Sequence, residues 1–327
     1  GRNKDLIKSK FPHVRKNAAG YALNEVWSED GAMFNLGRLI VGAQATLGIV
    51  TKIDFKLVKK LHNNHMIVVP LEDLKRIPDT VKIFLGAHAD IVETFDYHTY
   101  NLAKDYLPED AKRASIADGK HLVVFAQFGG EDKNEIEDRV SKASSNLEEA
   151  GLTALSVTDE TVAESFLAIR RASFKMLLEH PYPDTRAAAF LEDTIVPIEH
   201  YDKFLEKLEK ILADYDLTYT YAGHIGDGSI RLVPLVNFDK EGIAEIIFEL
   251  SEKVYDLVFE FGGSMSVDHN DGFIRTPFLE KMYGKDLVEV FREVKNIFDP
   301  NNVFNSGKKT TITREQAIDK IFKSNKA

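Results

Sequence analysis

The sequence predicts an α+β fold built on an antiparallel sheet, and three observations support that class. Short β-branched runs alternate with amphipathic helical stretches from residue 66 to residue 261. The order strand, helix, strand occurs twice with its strands interleaved, which suits a ferredoxin-like unit, duplicated along the chain, with helices on one face. The chain has 327 residues, 44% apolar and 29% charged, which is globular composition with room for two domains.

The elements follow in order. Residues 38–58, "RLIVGAQATLGIVTKIDFKLV", read as strand, loop, strand. "MIVVPL" (66–71) is a strand, and "DLKRIPDTVKIFLG" is a helix that Pro78 interrupts or kinks. "HLVVFAQF" (121–128) is a strand, and residues 133–150 form a charged helix that stops before Gly151. "TALSVT" (153–158) is a strand, followed by a long helix through "DETVAESFLAIRRASFKMLLEH". The strand "AAAFLEDTIVP" precedes a helix with Phe204, Leu205, Leu208, Ile211 and Leu212 on one face. Two strands span 218–237, a helix spans 241–261, and helices follow at about 277–298 and 312–324. No repeat of solenoid length is visible.

Composition excludes several functions. A formal charge of −10 argues against nucleic-acid binding, because phosphates are met by clustered Lys and Arg. The chain has no Cys, hence no disulfide framework and no thiolate for zinc or an iron–sulfur cluster. No apolar run reaches 18 residues, so no membrane span is expected. The basic start lacks an apolar core and is no secretory signal. A cytoplasmic protein is the expectation, with peripheral attachment at the inner membrane through a partner left open.

Three clusters carry candidate chemistry. "GHIGDG" (223–228) places His224 and Asp227 in a glycine-rich turn, which reads equally as a structural hairpin. "SVDHNDG" (266–272) gathers Asp268, His269 and Asp271, and two such clusters at element ends suggest one site. "LAIRRASF" sets Arg170 and Arg171 in an apolar helix, either as a surface pair or as a clamp for a carboxylate. Together they suggest a pocket for an organic acid, with Arg for its carboxylate and His for a proton.

Those residues bring a resemblance into view. "RKNAAGYALNEV", "NLGRLIVGAQATLGIVTKIDFKLV", "AFLEDTIVP", "AGHIGDGSIRL", "GGSMSVDHNDGFIRTPFLEKMYG" and "FDPNNVFNSGK" resemble, in order, segments of the FAD-linked oxidase family. That family includes D-lactate dehydrogenase, glycolate oxidase and D-2-hydroxyglutarate dehydrogenase. The resemblance implies the end of a vanillyl-alcohol-oxidase-type FAD domain in residues 1–58. It implies a ferredoxin-like substrate (cap) domain in 59–270 and a helical segment returning to the flavin in 271–327. It also implies that the amino-terminal half of the FAD domain lies outside this chain, which alone should bind FAD poorly.

The same resemblance implies roles by position. Arg170 matches a clamp for the substrate carboxylate, and His269 matches the base that takes the hydroxyl proton. His224 and Asp268 match ligands of a divalent metal, zinc or manganese, with Asp268 one methylene shorter than the usual glutamate. Gly20, Tyr21, Gly42, Gln44, Thr46, Gly48, Ile49 and Asn305 match the flavin-contacting segments.

Departures accompany the match. A second ligand histidine falls on Arg231, which has no lone pair to offer a metal. Either Arg231 replaces the metal's charge and acts on substrate directly, or the site has decayed. The family's S-E-G-T becomes Ala43-Gln44-Ala45-Thr46, and its N-P-G-K becomes "NSGK".

The implied activity is FAD-dependent oxidation of a small D-2-hydroxy acid to its 2-oxo acid, with electrons passing to an acceptor not identified here. Any iron–sulfur cluster would belong to another segment or subunit. The rival expectation is a catalytically degenerate, flavoprotein-like binding or scaffold subunit.

Overall fold

The computed structural model describes residues 2–28, 30–59, 63–103, 122–179 and 184–323. The chain divides into two compact units. A helical unit combines Gly1–Lys56, Asp193–Ile195 and Phe238–Ala327, and a sheet unit combines Leu57–Glu192 with Val196–Asn237. The chain therefore changes unit near residue 237 rather than at 270, because the stripe on helix 243–260 serves the helical unit's core. Periodicity identifies a buried face but does not say which core buries it.

The sheet unit contains strands β1 (His65–Leu71), β2 (Ile91–Asp96), β3 (Leu122–Phe128), β4 (Leu155–Val157), β5 (Arg186–Ala187), β6 (Tyr219–Gly223) and β7 (Ser229–Val236). Their spatial order is β4-β1-β3-β2-β6-β7-β5. Every pairing along this path is antiparallel. The helices are α1 (Ile77–Gly86), α2 (Tyr97–Ala103), α3 (Lys133–Glu149), α4 (Glu160–Glu179) and α5 (Tyr201–Ala213).

Helices cover both faces of the sheet, not one as the sequence suggests. On one face Met66, Val68, Phe95, Val123 and Phe125 pack against Phe166 and Ile169 of α4. On the other, Phe128 meets Phe84 of α1 at 6.5 Å between ring centres. Central strands such as β3 are buried along their entire length, and a continuous apolar run is the signature of a strand covered twice.

Three local expectations change. Pro78 sits in the first turn of α1 and starts the helix rather than breaking it. "AAAFLEDTIVP" is no continuous strand, since only Arg186–Ala187 and Thr194–Ile195 are extended and paired, with a turn between. Residues 38–58 form a short helix, Leu36–Ile40, and then an irregular segment without a strand among the described residues. A strand needs cross-strand hydrogen bonds, and none reaches this segment among the described residues.

In the helical unit, α6 (Ile243–Glu260) buries Ile247, Leu250, Val254, Leu257 and Val258. Its Phe248 stacks on Phe278 at 6.1 Å, and its Tyr255 meets the same ring edge-on at 5.0 Å. The predicted helix 277–298 is two, α7 (Leu279–Tyr283) and α8 (Lys285–Phe298), separated at Gly284. Phe291 of α8 anchors a ring cluster with Tyr21 and Tyr283. Helix α9 (Arg314–Lys323) opens with a reciprocal cap, in which Gln316 N–H donates to Thr313 Oγ1 and Thr313 N–H to Gln316 Oε1.

Candidate functional site

The glycine-rich motif closes the β6–β7 hairpin. Gly223 is required there by space, because a Cβ would lie 2.5 Å from the Ser229 carbonyl oxygen. The turn Ile225–Asp227 ends on left-handed Gly228, whose carbonyl accepts from the buried Tyr201 hydroxyl at 3.1 Å.

Strand register sets what His224 meets. Thr94 pairs with Gly223 and Phe95 with Ala222, so Glu93 falls beside His224 on the face that α4 covers. His224 Nδ1 lies 2.6 Å from Glu93 Oε1. Arg170 of α4 donates from Nε to Glu93 Oε2 at 2.5 Å, and its Nη2 lies 3.3 Å from His224 Nε2. The Arg170 and Glu93 side chains are only 12% and 10% exposed, so water screens this pair weakly.

Arg171, by contrast, faces solvent and reaches Glu164 at 3.8 Å. Of the two arginines, α4 turns Arg170 inward. Arg231 pairs with Ala222 across β6–β7 and therefore shares the sheet face of Glu93 and His224.

Asp193 organises the second cluster, within the helical unit. Its Oδ2 accepts from Ser266 Oγ at 2.7 Å and from the N–H groups of Val267 and His269, both at 2.9 Å. Its Oδ1 accepts from Asp268 N–H at 3.2 Å. Burial pushes the Asp193 carboxyl up. Arg275 and the hydrogen bonds from Ser266 and His269 partly offset this rise, and the neighbouring Asp268 carboxyl adds to it.

The His269 ring lies between the two acids, with Nδ1 at 3.9 Å from Asp193 Oδ1 and Nε2 at 3.5 Å from Asp268 Oδ1. These three residues are, among those described, the group whose ligand atoms lie within 4.8 Å of one another. His224 and Asp268, expected as a ligand pair, belong to different units.

The residues matched to flavin segments divide into two kinds. Gly20, Tyr21 and Thr46 are buried and hold the chain in place. Tyr21 Oη and Thr46 Oγ1 are 2.7 Å apart, and burial pushes the tyrosine up to about 12 despite the Thr46 bond. Gly20 N–H donates to Asp271 Oδ2 at 2.9 Å.

Gly42, Gln44, Gly48, Ile49 and Asn305 line a more open loop. Gln44 and Ala45 both take left-handed backbone, with φ of 54° and 52°. Asn305 Nδ2 donates to the Gln44 carbonyl at 2.7 Å, and Gln44 Oε1 accepts from Gly272 N–H at 3.1 Å. Ile49 is 75% exposed, and nothing stands within 4 Å of the Gly48 Cβ position.

Sequence reasoning missed Glu93 and Lys309, and it named Asp271 as a site acid where the structure buries it against Lys309 and Gly20 N–H. A carboxylate amid the apolar run "DIVETFD" was a readable signal for Glu93. Asp193 stood inside the quoted "AFLEDTIVP", but as part of a strand rather than a clamp.

The sheet and helices have the fold of vanillyl-alcohol-oxidase-type proteins. The chain matches p-cresol methylhydroxylase with a TM-score of 0.58 at 12% identity, over 79% of this chain and 54% of that one. Alkyldihydroxyacetonephosphate synthase matches with a TM-score of 0.57 at 15% identity, over 86% and 50%. The chain belongs to the family of FAD linked oxidases, C-terminal domain, whose sequence profile matches residues 61–309. FAD is thus the cofactor of its family.

Similar curated proteins include the D-2-hydroxyglutarate dehydrogenase of Escherichia coli (strain K12), 26% identical over 93% of this chain and 31% of that one. The D-lactate dehydrogenase of Anaerostipes hadrus is 28% identical over 86% and 59%. The glycolate oxidase subunit GlcD of Bacillus subtilis (strain 168) is 26% identical over 86% and 58%. The chain therefore spans between about a third and three-fifths of the length of these relatives. No described helix is long and apolar enough to cross a membrane.

Proposed function

We propose that this chain serves an FAD-dependent oxidoreductase that converts a small D-2-hydroxy acid to its 2-oxo acid. The observation that carries this reading is the likeness, along nearly the whole chain, to proteins named for D-2-hydroxyglutarate, D-lactate and glycolate.

The loop 42–49 and Asn305 suit a flavin. Positive φ at Gly42, Gln44 and Ala45 holds the loop in a tight turn, with Thr46 N–H donating to the Ala43 carbonyl, and Asn270 Oδ1 is a buried acceptor without a donor of its own. When bound, flavin would supply the acceptor for the hydride, which carries both electrons away from the substrate carbon. His269 would take the hydroxyl proton, with Asp193 fixing its backbone and the two acids flanking its ring. Arg170 and Arg231 supply the positive charge that a carboxylate substrate needs.

Turnover of D-lactate, glycolate and D-2-hydroxyglutarate with a dye acceptor tests this on the protein isolated from its source. We expect oxidation of at least one of them, no oxidation of L-lactate or L-2-hydroxyglutarate, and a loss of roughly 10²–10⁴-fold in His269→Asn. Bound flavin without oxidation of any of the three would favour the scaffold reading. The engagement of Arg170 by Glu93 is the observation on that side.

A further inference from the structure

We infer that His224 is not a metal ligand in this chain, because the Arg170 guanidinium occupies the position at Nε2 that a metal would take, and Glu93 holds both partners there. The inference follows from which groups can donate. An ionised carboxylate only accepts, so the proton on His224 faces Glu93 and sits on Nδ1. A guanidinium only donates, so the lone pair of Nε2 faces Arg170. Both ring nitrogens are thereby used, and the imidazole is held in one neutral tautomer.

The three side chains close a ring. Glu93 Oε1 meets His224 Nδ1, His224 Nε2 meets Arg170 Nη2, and Arg170 Nε returns to Glu93 Oε2. Zinc binds an imidazole nitrogen at about 2.0–2.1 Å. A guanidinium nitrogen 3.3 Å from the same atom leaves no room for the ion. Arginine keeps its charge at any working pH, so it would also repel the ion.

Arg231 stands on the same sheet face, at the position that the resemblance matches to a second ligand, and it has no lone pair to offer. The donor set of the sheet unit therefore does not fit a divalent metal. Glu93 is a positioning residue: it fixes the His224 tautomer and the Arg170 orientation through one carboxylate.

Nitrogen-15 NMR of the histidine-labelled chain tests this without turnover, so its result is independent of the proposed reaction. The His224 signals are assigned by their loss in His224→Gln. We expect the proton on Nδ1, and no movement of the His224 signals on adding one equivalent of zinc. Zinc taken up by the Asp193–Asp268–His269 group would move His269 alone.

Arg170→Met combined with Arg231→His should expose Nε2 and supply a second nitrogen donor, so that the His224 signals then shift with zinc. Glu93→Gln offers both a donor and an acceptor and should turn the single tautomer into a mixture. A proton found on Nε2, or a His224 shift with zinc in the unaltered chain, overturns the inference. An unchanged single tautomer in Glu93→Gln removes the positioning role of Glu93.

Discussion

Gly20 shows how one residue can match a family pattern for a reason other than ligand contact. Its φ is +64°, and a Cβ there would come within 2.4 Å of Phe291 Cε2. Left-handed backbone costs a side chain about 1–2 kcal/mol, and overpacking adds about 1–3 kcal/mol. Gly20→Ala should therefore lower the urea midpoint well beyond Gly151→Ala, where φ is +69° but nothing stands within 4 Å. Equal effects at the two positions would show that Phe291 yields easily.

Lys309 is the other instructive residue, with neither its side chain nor that of Asp271 exposed. Its ammonium donates to the carbonyls of Ala18 and Gly20 and to Asp271 Oδ2, which satisfies all three N–H groups. Removing one member of a buried pair costs about 3–5 kcal/mol, whereas replacing both with apolar residues is often neutral. Lys309→Met should thus be far less stable than Asp271→Leu combined with Lys309→Met, measured by denaturant unfolding. Nothing in "DHNDG" or "SGKKT" alone indicates this pairing, since 38 residues separate the partners.

At the scale of elements, the end of α8 is held by charge. Asp299 accepts from the N–H groups of Val303 and Phe304, while Lys295 joins it to the Thr46 and Phe304 carbonyls. Burial opposes ionisation of Asp299, but Lys295 and the two N–H groups outweigh it and hold the carboxyl below its ordinary range. A carboxyl depressed on folding stabilises above its unfolded pKa of about 3.9 and loses that contribution as pH falls through the folded value. Asp299→Asn should therefore flatten the acid limb of a stability–pH curve. An unchanged limb would assign acid lability to other groups.

The helices themselves were largely legible because a 3.6-residue stripe is local. The stripe on α5, from Phe204 to Leu212, is buried as expected apart from half-buried Ile211. Residues 38–58 were misread because their β-branched texture is also local, while the hydrogen bonds of a strand come from elsewhere in the chain.

For the whole molecule, the exposed apolar side chains concentrate in one segment. Val41, Ile49, Ile53 and Phe55 are 74%, 75%, 61% and 76% exposed. A hydrophobic dye should bind there. Ile49→Asp with Phe55→Asp should reduce dye fluorescence while leaving the unfolding midpoint nearly unchanged, and a large drop in the midpoint would mean that this segment packs.

The sequence by itself determined the α+β class, most helices, the family and the residue types of the site. All of these rest on periodicity, composition and short motifs that a linear reading can hold. Only the tertiary structure decided that both sheet faces are covered and that α6 serves the helical unit. It alone set Glu93 against His224 and Arg170, across 131 and 77 residues. The physical reason is register. Side chains alternate faces along a strand, so which residue meets which depends on pairings between distant segments rather than on either segment alone.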